Sequence, residues 1–261
     1  MKKYSLIIYL LFALLLPMGL CAKNTPAESK NIKFSKRFQQ KWGKRPIQIR
    51  QHYSNPRITG SYPSDKTVEK CAEKFYQTLD YLPESLIRKT HLKHVTFLRN
   101  LRLNGQPAGG IASGDTIFLP IDFESKTVFH EFFHIFDPQR KDKRWTDLND
   151  KKFAYSGSKF YEVKMTKKER RQVKKTNRRD NVAESFVSSY AMSFEHEDRA
   201  ETFAYMIVEG RRFLNRTKNP VLKAKMEYIM NLFVEQKLLS KDFWEKHFNK
   251  KFKLENRFYS E

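Results

Sequence analysis

Residues 127–137 read Thr-Val-Phe-His-Glu-Phe-Phe-His-Ile-Phe-Asp and contain the spacing His-Glu-x-x-His. An α-helix has about 3.6 residues per turn, so it places His130 and His134 one above the other on one face, with Glu131 beside them. Neutral imidazole suits zinc, and a catalytic zinc site keeps three protein ligands so that a fourth position can hold water. Zinc lowers the pKa of that water, and Glu131 is the candidate general base that takes its proton. The alternative is an amphipathic helix whose histidines are satisfied by neighbouring groups.

A second predicted helix, with Ser193 as its N-cap, supplies a candidate third ligand. Glu197 and Glu201 lie one turn apart on a face that otherwise carries small residues such as Ala200 and Ala204. Such a face packs in a core, where an unpaired carboxylate is costly. We therefore expect Glu197 to bind one zinc ion per chain and Glu201 to accept the N–H of a ligating histidine. A solvated charged face is the alternative, but it does not account for the alanines.

Taken together, these motifs resemble a known group of enzymes. The His130–His134 motif, Tyr190 seven residues before Glu197, and the element Glu197-x-x-Ala200-Glu201 are similar to the gluzincin metallopeptidases related to the catalytic domain of anthrax lethal factor. The resemblance covers about residues 95–210. It implies that the first Glu of this element is the third zinc ligand and that Tyr190 hydrogen-bonds the developing oxyanion, a role that a phenol can fill. It implies zinc-dependent endopeptidase activity on a peptide or protein substrate.

Phe133 departs from this group, in which Gly often precedes the second His. A bulky ring at this position is expected to narrow or reshape the pocket. Phe133 and a long basic insertion at about 138–180 therefore leave an alternative function, a basic surface or cell-envelope binding protein on a catalytically impaired zincin scaffold.

The order of predicted elements favours an α+β, zincin-like fold with a small mixed sheet, an edge hairpin packed on the zinc helix and a helix-rich C-terminal part. Ser64 or Asp65 can begin a helix that ends near Leu82. A strand is predicted at Val95–Leu103, followed by a turn at Asn104-Gly105.

Residues 109–120 are predicted to form the edge hairpin. By resemblance to gluzincins, an extended peptide substrate pairs through main-chain hydrogen bonds with Gly109, Gly110, Ile111 and Ala112. An ordinary hairpin without a ligand is the alternative. Asp122 is predicted to cap the zinc helix, and Asp137-Pro138 to end it.

Two further helices are predicted near the C-terminus. The first begins at Asn219-Pro220 and ends near Gln236, and Ser240 caps the second. Both carry apolar stripes typical of core packing. Cys71 lies on the apolar face of the helix that begins near Ser64, so we interpret it as a core residue.

Residues 1–22 are typical of a signal peptide, because Lys2 and Lys3 precede the apolar run Leu6–Leu16 and Ala22 is a plausible cleavage site. This run of eleven residues is shorter than the roughly 20 that span a bilayer. We expect an exported protein, periplasmic or secreted. Cys21 leaves a bacterial lipoprotein as the alternative, although Leu20 is a poor fit to the small residue that such processing prefers. Cleavage would leave a single cysteine and exclude an intramolecular disulfide.

The formal net charge is +22, and removal of the signal peptide would leave +20. Residues 23–64 form a predicted linker and irregular basic segment, and residues 65–261 a metallopeptidase domain with a basic insertion at about 138–180. The insertion is densest at Lys164–Arg179, which predicts attraction to an anionic membrane, a cell-wall polymer or an acidic protein. A solvated, partly mobile helix is the alternative. No nucleic-acid-binding motif appears, so a nucleic-acid partner is disfavoured.

Overall fold

The computed structural model describes residues 32–51, 53, 55–137, 141–151, 153–157 and 182–249. The predicted signal peptide with Cys21, Pro138, and the segment Lys164–Arg179 lie outside the described residues. None of the helices in the described part of the chain is long and apolar enough to cross a bilayer.

The described residues form eight α-helices and six strands. The helices are α1 (Lys36–Trp42), α2 (Asp65–Leu79), α3 (Glu84–Lys89), α4 (Ser125–Phe136), α5 (Lys143–Thr146), α6 (Glu195–Glu209), α7 (Pro220–Glu235) and α8 (Lys241–Asn249). The strands are β1 (Gln48–Ile49), β2 (Ile58–Ser61), β3 (His94–Leu103), β4 (Gln106–Pro107), β5 (Ile111–Ser113) and β6 (Thr116–Pro120). Three 3₁₀ helices occur at Val182–Ser185, Tyr190–Met192 and Gly210–Lys218.

The strands form one mixed sheet with the order β1-β3-β6-β5, and β2 and β4 also pair with β3. The first half of β3 lies parallel to β1 and β6, whereas its second half pairs antiparallel with β2 and β4. Within the second half, where the pairing with β2 shifts register between Arg99 and Arg102, Asn100 has a left-handed backbone with φ 52°. Asparagine tolerates this conformation better than most residues, so it can accommodate this irregularity.

The two faces of the sheet bury different clusters. Val95 and Phe97 alternate with Thr96 and Leu98 along β3, as the period of a strand requires. Phe97 packs against Phe75 of α2 at a ring-centroid distance of 6.2 Å, on the side that carries the main core. Leu98 belongs to a smaller cluster on the opposite face. Both faces of the sheet thus bury apolar side chains, and the face with the main core is the one that packs against α4.

The predicted fold class is confirmed: the chain is α+β, with a mixed sheet, β5 at an edge of the sheet and a helix-rich C-terminal part. Ser64 caps α2 by accepting a hydrogen bond from the Thr67 N–H, and Asn219 and Ser240 cap α7 and α8 as predicted. Helix α2 ends at Leu79, three residues before the predicted end. Cys71 is buried, and burial raises the pKa of its thiol to about 11, as expected of a core residue.

The predicted cap of α4 is wrong. Asp122 lies in a turn after β6, and Glu124 occupies the N-cap position without a side-chain capping bond. The cause is Phe123, whose buried ring stacks on Phe97 at 5.8 Å and holds the chain against the core before the helix can begin.

Candidate metal centre

Helices α4 and α6 pack against each other and bring together the three predicted ligands. The Nε2 atoms of His130 and His134 are 3.0 Å apart, and Oε2 of Glu197 lies 3.1 Å from the first and 3.2 Å from the second. The three donor atoms therefore form a nearly equilateral triangle at the junction of the two helices. Two imidazole nitrogens and one carboxylate oxygen are a donor set typical of a catalytic zinc ion, so these residues fit the metal.

Electrostatics in this triangle favour a bound cation. Burial would lower the pKa of His130, but the nearby carboxylates of Glu197 and Glu201 outweigh burial and raise the pKa to about 10. Burial would raise the pKa of Glu197, but hydrogen bonds from His130, His134 and His196 hold it well below its usual range. The site thus favours positive charge, whether a proton or a metal ion carries it, and the Glu197 carboxylate stays ionised, as a metal ligand must be.

Glu201 lies behind His130, one helical turn after Glu197. Its Oε1 is 3.0 Å from Nδ1 of His130, although the ring N–H is not aimed straight at this oxygen. Ser188 donates a hydrogen bond of 2.6 Å to Oε2, and Nζ of Lys126 is 3.7 Å from Oε1. A carboxylate held in this way can fix the orientation of the imidazole, the role that the sequence predicts for Glu201.

Glu131 is buried on α4 next to the ligand histidines, against the edge of the sheet. Burial raises the pKa of its carboxyl group, and the neighbouring charges of His130 and His134 oppose that shift. The backbone of Ala112 also lies near this carboxylate and opposes the rise of its pKa. A carboxyl group with a raised pKa is better suited to accepting and returning a proton near neutral pH.

Tyr190 lies beside the triangle in the 3₁₀ helix Tyr190–Met192. Its ring centroid is 5.9 Å from that of His130. The fully buried Ser193 donates a hydrogen bond of 2.7 Å to the Tyr190 carbonyl oxygen. The prediction that Ser193 caps α6 is therefore wrong: its hydroxyl is used by the preceding turn, and Phe194 is the N-cap residue without a side-chain capping bond.

His196 also lines the site. Its Nε2 is 3.5 Å from Oε1 of Glu197, and its ring centroid is 5.6 Å from that of His134. Phe194 stacks on the His196 ring at 5.3 Å. The imidazole therefore stands next to the carboxylate oxygen that does not face the two α4 histidines.

The expectation that Phe133 narrows the pocket is not supported. Its ring is buried, with 1% exposure, and packs against Phe203 at 5.2 Å and Phe136 at 5.6 Å. It also contacts Phe233 of α7 at 6.2 Å. The side chain thus points into the core between α4, α6 and α7, away from the donor triangle.

Two buried ion pairs that the sequence did not predict hold the helices of the site. Arg199, with 1% exposure, donates to Asp137 at 2.7 Å and to Glu195 at 2.5 Å, and so ties the end of α4 to the start of α6. Asp198 pairs with Lys225 of α7 at 2.8 Å, and both side chains are fully buried. Asp137 lies 62 residues from Arg199, and Lys225 lies 27 residues from Asp198. The acidic run at the start of α6 is therefore the only local feature of the sequence that could have indicated these ion pairs.

Comparison with known proteins agrees with the donor set. The model of a family described as "Putative zinc-binding metallo-peptidase" matches residues 117–256, which is more than half of the chain. The chain belongs to this family. The matched part of this metallo-peptidase includes α4, α6 and α7, and hence all three residues of the triangle.

A solved structure shares the fold. It is titled as a putative zinc-binding metallo-peptidase from Bacteroides caccae and matches with a TM-score of 0.53 and 14% sequence identity, over 81% of this chain and 88% of that chain. No curated protein matches this chain.

Proposed function

We propose that this protein is an exported zinc-dependent endopeptidase of the gluzincin type. The observation that carries the proposal is the convergence of His130 Nε2, His134 Nε2 and Glu197 Oε2 at 3.0–3.2 Å beside the buried carboxyl group of Glu131. Membership of a zinc-binding metallo-peptidase family supports hydrolysis of peptide bonds in a peptide or protein. Export rests on the amino-acid pattern of residues 1–22 alone.

Each residue has a distinct task in this proposal. His130, His134 and Glu197 would hold the ion, and zinc bound there supplies the Lewis acidity that makes water nucleophilic near neutral pH. Glu131 accepts a proton from the attacking water and passes it to the nitrogen of the leaving amine. Tyr190 donates its phenolic hydrogen to the oxyanion that develops on the scissile carbonyl.

The edge of the sheet offers a place for the substrate. Strand β5 pairs on one side with β6, in the register Ile111 to Phe118 and Ser113 to Thr116. As an edge strand next to α4, it suits an extended peptide that adds through main-chain hydrogen bonds. Ile111 and Ala112 lie within the strand, whereas Gly109 and Gly110 precede it.

The binding-protein alternative loses one of its two supports, since Phe133 packs in the core. Its other support is the basic insertion at about 138–180, whose densest part, Lys164–Arg179, lies outside the described residues. The buried carboxyl group of Glu131 beside three convergent donor atoms favours an enzyme over a binding protein.

Removal of the metal is expected to abolish peptide cleavage, because the remaining side chains offer no other Lewis acid. The measurement is cleavage of an unstructured protein such as casein after dialysis against a chelator. Activity should fall to background and return on addition of one equivalent of zinc. Cleavage that survives complete removal of zinc would contradict the proposal.

A further inference from the structure

Gly110 packs so closely against the side chain of Glu131 that there is no room for a side chain at position 110. A Cβ atom built on Gly110 would lie 2.6 Å from Oε1 and 2.8 Å from Cγ of Glu131, and 2.7 Å from Cγ2 of Thr127. Carbon atoms normally pack at about 3.5–4.0 Å, so even alanine would force one of these groups to move. The backbone of Gly110 has no left-handed φ, which means that space and not conformational freedom requires glycine here.

The neighbouring Gly109 has no such close contact, so the tight packing is particular to position 110. A Cβ atom at Gly109 would meet nothing within 4 Å. Two residues further on, the backbone of Ala112 also lies near the Glu131 carboxylate. The chain from Gly110 to Ala112 thus runs along Glu131, with no room for a side chain at Gly110 and with Ala112 near the carboxylate.

We propose that Gly110 is a positioning residue, which lets the edge of the sheet hold the carboxylate of Glu131 in place for proton transfer. The kinetic part of this inference rests on the proposed peptidase function, but the contact itself does not. The sequence interpretation gave Gly110 a different task, the pairing of substrate. The two roles predict different kinetics, because a displaced base slows the reaction whereas a lost pairing weakens binding.

The first test is the kinetics of Gly110→Ala, with zinc content measured in the same preparation. We expect kcat to fall roughly 10- to 100-fold, the cost of moving a catalytic group by about an ångström. We also expect KM to stay within about twofold and zinc content to be unchanged. A raised KM with normal kcat would overturn the inference and return Gly110 to substrate pairing.

The second test measures the contact without activity. Of the three atoms nearest to a Cβ at Gly110, only Cγ2 of Thr127 does not belong to Glu131. Thr127→Ser removes this atom and serves as the background for a double-mutant cycle of Gly110→Ala and Glu131→Ala. Overpacking by Gly110→Ala should lower the midpoint of thermal unfolding by roughly 2–10 °C. In the presence of Glu131→Ala this loss should shrink by at least half. Gly109→Ala is the matched control, and its effect on the midpoint should not depend on Glu131.

Each outcome decides the inference. An equal loss with and without Glu131→Ala would show that the two residues do not press on each other and would overturn it. If Gly110→Ala alone does not fold, recovery of folding in the double variant supports the contact and failure to recover contradicts it. A wild-type protein without peptidase activity would instead refute the proposed function, while the stability cycle would still decide the contact.

Discussion

Glu131→Ala is expected to lower kcat/KM for peptide hydrolysis by roughly 10²- to 10⁴-fold, the usual contribution of a general acid-base residue. Zinc should stay bound, because the triangle consists of His130, His134 and Glu197 and does not include Glu131. The measurement is steady-state cleavage of a peptide, with zinc content determined on the same sample. The combination of normal zinc and lost turnover separates a proton-transfer role from a ligand role.

A matched control is available on α7. Glu227 is a carboxylate with 54% side-chain exposure, and its ion pair with Lys223 is 3.9 Å long. Glu227→Ala should leave hydrolysis unchanged. Native turnover in Glu131→Ala would refute the assigned mechanism, as would equal losses in the two variants.

The second large effect is expected in stability, from Lys225→Met. Lys225 pairs with Asp198 at 2.8 Å and donates to the Ser185 carbonyl oxygen at 3.0 Å. Trp145 and Tyr155 donate further hydrogen bonds to the same oxygen of Asp198, at 3.1 Å and 2.8 Å. Burial raises the pKa of Asp198 and lowers that of Lys225, while their mutual attraction opposes both shifts. This network anchors α6, the helix that carries Glu197.

Removing one partner of a buried pair leaves the other charge uncompensated, so Lys225→Met should lower the free energy of unfolding by about 3–5 kcal/mol. Urea denaturation followed by circular dichroism measures this loss. Lys223→Met, two residues away with 61% side-chain exposure, should cost less than about 1 kcal/mol. Addition of Asp198→Asn to Lys225→Met should recover part of the loss. Similar unfolding midpoints for Lys225→Met and Lys223→Met would show that the pair does not hold the helix.

The sequence predicted the fold and the donor triangle well because both depend on short, periodic patterns. The spacing of His130 and His134 is a property of one helix turn, and the alanine-lined face around Glu197 and Glu201 marks a buried surface that needs partners. The amphipathic stripes of α2, α7 and α8 likewise indicate their helices before any tertiary contact is known.

The errors have a common physical origin in long-range packing. Asp122 and Ser193 are good capping residues by composition, but Phe123 and the Tyr190 turn determine where the helices begin. Phe133 lies next to His134 in sequence, yet Phe203 of α6 determines which way its ring points.

Lys225 was missed for a related reason. It sits among the apolar residues of α7, and lysine is almost never fully buried unless it is paired. Its partner Asp198 belongs to another helix. No pattern within α7 could therefore indicate that the side chain is buried.

Zinc content tests the central claim most directly. The measurement is elemental analysis of the purified wild-type protein beside Glu197→Gln, a substitution that keeps the shape of the side chain and removes its charge. We predict one zinc ion per chain in the wild type and a clear loss in Glu197→Gln, because an amide is a far weaker zinc ligand than a carboxylate. A wild-type protein without zinc, or equal zinc in the two proteins, would contradict the assignment of His130, His134 and Glu197 as the metal site.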